Sequence, residues 1–120
     1  MNTNWIYLPV QYLKNSFKKI DDRTIEFKIK NMEGSARVNI SPSIYLDGND
    51  ISAGSTVSTK EGEFEAVKKN MDLDILLGES IVMRSVLEKP LNPGSHKIKV
   101  IIGVNFPLWT TFELEFKVKA

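Results

Sequence analysis

The side chain with the widest chemical repertoire in this sequence is His96, the only histidine in a chain that has no cysteine. A catalytic histidine works in an array, with a nucleophile or substrate on one ring nitrogen and an orienting group on the other. The sequence indicates no such partner, and His96 follows a Pro93-Gly94 turn in phase with Ile98 and Val100. We therefore predict a structural residue at the end of a strand, half-buried, with one ring nitrogen bonded to a backbone carbonyl.

Acidic residues occur in two groups that could hold a metal or move a proton. Residues 47–50, Asp-Gly-Asn-Asp, have the composition of a calcium loop, but an EF-hand needs Glu at its twelfth position, and residue 58 is Ser. The Asp-Gly pair is instead typical of a hairpin turn. Asp72 and Asp74 share strand parity and could act as an acid–base pair, although a solvated loop is the simpler interpretation.

Two other signatures of chemistry are missing. The Ser/Thr-rich stretch 55–59 lacks the G-x-S-x-G elbow of a hydrolase nucleophile, and the glycines at 34, 48, 54 and 62 are spread singly instead of forming a phosphate-binding loop. We predict no catalytic residue, no metal ligand and no cofactor in this chain.

Large aromatic residues in connecting segments are the positive signal for function. Phe106 and Trp109 flank Pro107-Leu108 between the last two predicted strands, and Trp5 and Tyr7 precede Pro9 near the N-terminus. Aromatic side chains are favoured where a surface meets a partner or ligand, and loops on a rigid scaffold often carry function. We predict that Phe106, Trp109, Trp5 and Tyr7 form a partner or ligand surface; the alternative is that the two tryptophans cap the core.

Two predicted strands in the last third of the chain position His96 and the aromatic segment. Apolar residues occupy every second position from Ile98 to Ile102, and the alternation resumes from Phe112 to Val118 after a break at 105–107. A period of two predicts strands with one buried and one solvated face. We expect an antiparallel pair that closes a sheet.

The rest of the chain extends this pattern. Turn signals recur about every 8–12 residues, and no long segment has the helical period of 3.6. We predict an all-β fold, an antiparallel immunoglobulin-like β-sandwich of about seven to nine strands. Residues 1–120 form one domain, and residues 1–13 form an N-terminal edge strand or arm because Pro9 cannot donate to a ladder.

Several local predictions follow from the same alternation. Thr24 to Asn31 is a strand whose Glu26 faces water, and Ser80 to Lys89 is a central strand because both of its faces are fairly apolar. Pro42 breaks or bulges the strand that contains it, and Gly54 to Lys60 is a loop or an edge strand.

Composition excludes several classes of function. The 120-residue chain has 42% hydrophobic and 26% charged residues and a net charge of +1, which argues against disorder and against nucleic acid as the main partner. The absence of cysteine favours a reducing compartment. The N-terminus lacks the features of a signal peptide, and no apolar run approaches the ~18 residues of a membrane span. We expect a cytoplasmic protein without membrane contact.

Three features occur along the chain in an order that resembles a known family. They are the hairpin turn Leu46-Asp47-Gly48, the Gly78-Glu79 step before a strand, and the run Leu91-x-Pro93-Gly94-x-His96-x-Ile98-x-Val100, followed by an aromatic loop. From about Ile25 to Val118 the chain resembles the β-subunit domain of bacterial C-glycoside deglycosidases. It departs from that pattern at 75–77, where Ile-Leu-Leu stands in place of a segment with an aromatic residue, and in a short segment between Ile29 and Leu46.

The resemblance implies a small β-sandwich without catalytic machinery. Its partner would be a larger α-subunit, a (β/α)₈ barrel with a divalent metal and a catalytic base, and the complex would cleave the carbon–carbon bond between an oxidised sugar and an aglycone. In that hetero-oligomer this chain would stabilise the α-subunit and shape one wall of its pocket with Phe106 or Trp109. Two alternatives remain: a free-standing immunoglobulin-like binding module for carbohydrate or protein, and a structural protein that assembles through its N-terminal edge strand.

Overall fold

The structure is a computed structural model that describes residues 10–31, 36–60, 62–66, 72–75, 78–105 and 109–120. In these ranges the chain forms eleven strands and a 3₁₀ turn at Ser52–Gly54. The strands are β1 (Val10–Tyr12), β2 (Lys18–Lys19), β3 (Thr24–Asn31), β4 (Ala36–Leu46), β5 (Asn49–Asp50), β6 (Ser55–Thr59), β7 (Gly62–Glu65), β8 (Asp72–Ile75), β9 (Ser80–Val86), β10 (Ser95–Asn105) and β11 (Trp109–Lys119).

The strands form two antiparallel sheets. Sheet A has the order β1-β3-β9-β6-β7, with β2 also paired to β3; sheet B has the order β11-β10-β4-β5, with β8 also paired to β4. The predicted all-β, immunoglobulin-like sandwich is confirmed. The described strands outnumber the predicted seven to nine because β2 and β5 are two-residue strands that pair beside longer ones.

The core lies between the sheets and is built from every second residue of the long strands. Ile25, Phe27 and Ile29 of β3 and Ile98 and Val100 of β10 are fully buried. They belong to one apolar cluster with residues of β4, β6, β9 and β11, as expected when the inner faces of two sheets interdigitate. The alternation predicted for β10 is confirmed, and so is the strand predicted from Thr24 to Asn31.

An aromatic cluster closes the side of the sandwich where β1 of sheet A lies next to β11 of sheet B. The ring of Tyr12 stacks on Phe116, with 3.9 Å between the ring centroids and 9° between the planes. Phe27 meets Phe116 edge-on at 5.4 Å. The Tyr12 hydroxyl accepts a hydrogen bond from the backbone N–H of Phe17 at 3.3 Å, so its polar atom has a partner inside the fold.

The last third of the chain forms the longest strand pair, as predicted. β10 and β11 pair without interruption from Ser95 opposite Lys119 to Asn105 opposite Trp109. β10 lies between β11 and β4, and β11 is the outermost described strand of sheet B. The β4–β10 register shifts between Ile101 and Gly103, where β4 carries extra residues that include Pro42. Pro42 therefore lies in a bulge, as predicted.

Three local predictions need correction. Glu26 is buried, because Arg84 lies opposite it on β9 and donates two hydrogen bonds to its carboxylate, at 2.7 and 3.2 Å. The segment 55–59 is neither loop nor edge: β6 lies between β9 and β7. Asp72 and Asp74 lie in β8, whose backbone pairs with β4, and not in a loop.

The two ends of the sandwich are distinguished by the strand pairs that they contain. The histidine end contains the Thr24–Val86 pair of sheet A and the Leu46–Ile98 pair of sheet B. The Asn105 end contains the Val10–Asn31 pair of sheet A and the Arg37–Asn105 pair of sheet B. Only four residues connect Asn31 to Ala36, so these two pairs belong to the same end of the molecule.

Candidate functional site

His96 and Asp47 are joined in a network of short polar contacts. The Nδ1 atom of His96 lies 2.6 Å from Asp47 Oδ2, and its Nε2 atom lies 2.7 Å from the carbonyl oxygen of Asn92. The other carboxylate oxygen of Asp47 accepts the backbone N–H of Lys97 at 2.8 Å. We call His96, Asp47 and Asn92 the histidine clasp, since they join the β4–β5 turn to the segment before β10.

Local sequence places each member of the histidine clasp. Asp47 and Gly48 both have positive φ, 49° and 85°, which is the type I′ hairpin geometry that an Asp-Gly pair favours. The Asp47 N–H donates to the Lys97 carbonyl at 2.8 Å, which holds the turn against the start of β10. The turn at Pro93-Gly94, with φ of 112° at Gly94, brings the Asn92 carbonyl back to the histidine ring.

The partners of His96 require a charged ring. A carbonyl oxygen and an ionised carboxylate only accept hydrogen bonds, so both ring nitrogens must carry a proton to satisfy them. The hydrogen bond to Asp47, followed by the one to Asn92, raises the pKa of His96 against the opposing effect of burial. Burial raises the pKa of Asp47, but the hydrogen bonds from His96 and from the Lys97 N–H outweigh it and hold that pKa below its ordinary value.

The histidine clasp is a structural device. With Nδ1 and Nε2 both donating to fixed acceptors, the imidazolium has no nitrogen left to take a proton from a substrate. The predicted carbonyl partner is confirmed. The Asp47 partner, 49 residues away, was missed. The signal that could have found it was the Asp-Gly hairpin itself, because pairing β4 with β10 brings Asp47 opposite Lys97, next to His96.

The calcium-loop alternative finds no support in the acidic residues of the β4–β5 turn. Both Asp47 oxygens are engaged in the histidine clasp, and Asp50 Oδ1 accepts the Ser52 N–H at 2.8 Å. In the described ranges, no group of three or more His, Asp or Glu side chains is placed to hold a metal ion.

A groove of about 650 Å³ opens at the histidine end, beside the clasp. Its floor is partly apolar, since Val86 is 57% exposed there and Ile51 and Leu91 line the same groove. Polar groups surround this apolar strip; they include Asp47, Asp50, Glu88, Lys89, Asn92 and His96. A mixture of this kind can bind an amphipathic ligand or a peptide side chain.

The predicted aromatic surface falls mainly outside the described residues. Trp5, Tyr7 and Phe106 lie outside them, and Trp109 is described only as the first backbone position of β11. The described residues that flank these segments lie at the same end of the sandwich. Val10, where the N-terminal segment joins β1, and Asn105 and Trp109, which bracket residues 106–108, are all at the Asn105 end.

The likeness of this chain to known proteins is weak. No protein-family model and no characterised protein matches the chain. Solved structures with some likeness include a conjugative transposon lipoprotein from Bacteroides eggerthii, at 15% identity over 92% of this chain and 95% of that one, with a TM-score of 0.43. A conjugate transposon protein from Bacteroides vulgatus has 10% identity over 97% and 91%, with a TM-score of 0.40.

A third solved structure is a family 123 glycoside hydrolase from Clostridium perfringens, with 16% identity over 79% of this chain and 21% of that one and a TM-score of 0.38. At these identities and TM-scores, nothing about activity, partners or location follows. In the part of the chain that the structure describes, there is no helix with the length and apolar character needed to cross a membrane.

Proposed function

We propose that this chain is a non-catalytic binding subunit that contacts a larger protein through the Asn105 end of its sandwich. The observation that carries the proposal is the use of His96: both ring nitrogens are bonded to oxygens that hold two loops together. The sequence contains no second histidine and no cysteine. Histidine, the side chain that most often serves as a general base, is therefore committed to the fold, and a cysteine nucleophile is absent.

The Asn105 end supports the choice of surface. Topology brings the attachment point of the N-terminal segment, at Val10, to the end where β10 finishes at Asn105 and β11 begins at Trp109. The four aromatic residues predicted to meet a partner belong to these two segments. Large aromatic side chains are enriched at the centres of protein interfaces.

The proposed partner is the metal-dependent barrel α-subunit of a C-glycoside deglycosidase. This part of the proposal rests on the resemblance of residues 25–118, and the two-sheet sandwich is the architecture that the resemblance implies. In such a cytoplasmic complex the divalent metal and the catalytic base belong to the partner. An obligate interface of this kind buries on the order of 2,000 Å² or more.

Co-purification tests the surface. Tagged wild-type chain is expected to retain the α-subunit of a C-glycoside deglycosidase, and Trp109→Ala is expected to lose most of it. Lys89→Ala, an exposed change at the histidine end, is the matched control and should retain the α-subunit as the wild type does. Equal retention by Trp109→Ala, with an unchanged thermal unfolding midpoint, would refute the proposed surface.

A second candidate function is a free-standing binding module for carbohydrate or protein, and the groove at the histidine end favours it. The exposed Val86 beside the polar groups of the clasp provides a mixed surface for a ligand. A glycan array probed with the lone protein distinguishes the two functions. Binding that is lost in Val86→Glu supports the module, whereas an array without signal favours the subunit.

A further inference from the structure

The outer edge of β11 has backbone groups that no described strand uses. Gly94 and Ala120 exchange both of their backbone hydrogen bonds, at 3.2 and 2.9 Å, which sets the phase of the β10–β11 ladder. Pairs that exchange hydrogen bonds recur at every second position of an antiparallel ladder. The even-numbered residues of β11 therefore bond to β10, and the odd-numbered residues direct their N–H and C=O groups away from it. In the described ranges, no strand pairs with that side of β11.

The same odd-numbered residues carry an ordered set of charges. Glu113, Glu115, Lys117 and Lys119 are all exposed on the outer face of sheet B. Two acidic residues followed by two basic ones form a pattern that is complementary to itself when the direction of the strand is reversed.

We propose that β11 pairs antiparallel with β11 of a second copy of this chain and joins two B sheets into one. The two-fold axis passes beside Phe116, so that Glu115 lies opposite the partner's Lys117 and Glu113 lies opposite the partner's Lys119. Each of these pairs consists of odd-numbered residues, and so each can exchange two backbone hydrogen bonds as well as a charge contact.

Charge selects this register over its neighbours. A shift of two residues in one direction sets Glu115 opposite Glu115, and the opposite shift sets Lys117 opposite Lys117. Like charges directly opposite each other are destabilising in a sheet. A shift of one residue would place the odd-numbered residues of one copy opposite even-numbered residues of the other. The N–H and C=O groups of those even-numbered residues already bond to β10.

Pairing also resolves an unfavourable contact within one copy. Lys117 lies directly opposite Lys97 on β10, while Glu115 and Glu113 reach diagonally to Lys97 and Lys99 at 3.7 and 3.5 Å. In the proposed dimer, Glu115 of the second copy lies on the other side of Lys117. In the joined sheet, Lys117 and Lys119 therefore each have a carboxylate of the second copy directly opposite.

The interface is small, and this determines how it is detected. One strand pair buries less than the ~1,200 Å² of a stable complex, so we expect a dissociation constant of about 10⁻⁴ M that rises with salt. The β11 edge is a side of the sandwich, distinct from the Asn105 end. If the chain does not dimerise through β11, the proposed function at the Asn105 end is therefore unaffected.

Sedimentation velocity of the full chain from about 10 μM to about 1 mM tests the proposal with charge variants. The acidic variant Lys117→Glu/Lys119→Glu and the basic variant Glu113→Lys/Glu115→Lys should each dimerise at least ~10-fold more weakly than wild type. Their equimolar mixture should recover the dimer, because every pair across the interface is again opposite in charge. Lys89→Glu, which alters an exposed lysine at the histidine end, is the control and should match wild type.

A second variant separates edge pairing from general charge effects. Glu115→Pro removes an edge N–H without removing a bond to β10, and Pro is tolerated on an edge strand in that position. We expect a folded monomer. A wild type that stays monomeric near 1 mM, acidic and basic variants that remain monomeric when mixed, or a Glu115→Pro protein that dimerises like wild type would overturn the proposal.

Discussion

His96 is a residue of a catalytic type whose side chain serves the stability of the fold. Its ring nitrogens face a carboxylate and a carbonyl, and the side chain is only 11% exposed, so the imidazolium is satisfied inside the fold. When the ring loses its proton, one nitrogen presents a lone pair to an oxygen that can only accept. The histidine clasp should therefore respond to pH through its own hydrogen bonds.

The first prediction concerns this pH dependence. Because the pKa of His96 is raised above 6.5, the clasp contributes its full stability below about pH 6.5 and loses it as pH rises through the raised pKa. Because the pKa of Asp47 is lowered below 3.8, its contribution is present above that value and is lost as pH falls through the lowered pKa. Urea unfolding should therefore show a decline in the free energy of unfolding above pH 6.5.

Asp47→Asn is the matched variant for this prediction. Asn tolerates the positive φ of position 47, so the turn is kept while the carboxylate is removed. We expect the His96 pKa, followed by the single histidine C2–H resonance in an NMR titration, to fall relative to wild type. The decline in stability above pH 6.5 should shrink with it. An unchanged His96 pKa in Asp47→Asn would contradict the clasp.

The second prediction concerns a buried pair of hydroxyl groups. Ser55 donates to the Ile51 carbonyl at 2.7 Å, so the Ser85 hydroxyl, 2.6 Å from Ser55, must be the donor of their shared bond. Ser85 is fully buried, and Ser55→Ala would leave it without that acceptor. We expect Ser55→Ala to destabilise the protein by about 1–3 kcal/mol in urea unfolding.

The double variant tests the pairing itself. Ser85→Ala should cost about 1 kcal/mol, because Ser55 keeps its bond to Ile51. Ser55→Ala/Ser85→Ala should be less destabilised than the sum of the two single changes, since no unpaired hydroxyl remains. Simple additivity would show that the two serines do not depend on each other.

At the scale of elements, the histidine end depends on a close approach between the 3₁₀ turn and β9. A Cβ added to Gly54 would lie well inside contact distance of the backbone oxygen of Val86. The Val86 oxygen belongs to the backbone and cannot move as a side chain can. The peptide that contains it is held in place because the Leu87 N–H donates to the Arg23 carbonyl at 2.6 Å. The turn and the end of β9 therefore form one rigid wall of the groove.

The third prediction follows from that contact. Gly54→Ala should lower the free energy of unfolding by about 1–3 kcal/mol, because the added methyl group must displace strand backbone. The glycine has no positive φ, so conformational freedom does not explain the expected loss. Ala53→Ser, an exposed change in the same 3₁₀ turn, is the control and should change stability little. A neutral Gly54→Ala would contradict the close approach.

Elements with long alternation were predictable from sequence, and those defined by distant pairing were not. β3 and the β10–β11 pair were predicted because each strand carries its own period of two. The burial of Glu26 and the interior place of β6 depend on which strands become neighbours in sheet A, and local pattern does not encode that. The same holds for the Asp47 partner of His96. The aromatic surface stays a prediction, because three of its four residues lie outside the described ranges.

At the scale of the whole molecule, three separate surfaces of the described chain are proposed for binding. The Asn105 end holds the described residues that flank the two aromatic segments, the histidine end holds the groove, and the edge of β11 holds the self-complementary charges. A sandwich supports such a division because its two ends and its edges are held apart by one rigid core. A subunit of this shape can contact a large partner at one end while it pairs with a copy of itself along one side.

The fourth prediction tests the central claim, that the chain acts by binding and not by catalysis. The measurement is the rate at which an oxidised C-glycoside is cleaved by this chain alone, by a barrel α-subunit alone, and by the two together. We expect no cleavage by this chain alone and the highest rate from the mixture, with Trp109→Ala lowering that rate. Cleavage by the isolated chain, or a rate for the α-subunit that this chain does not change, would contradict the account.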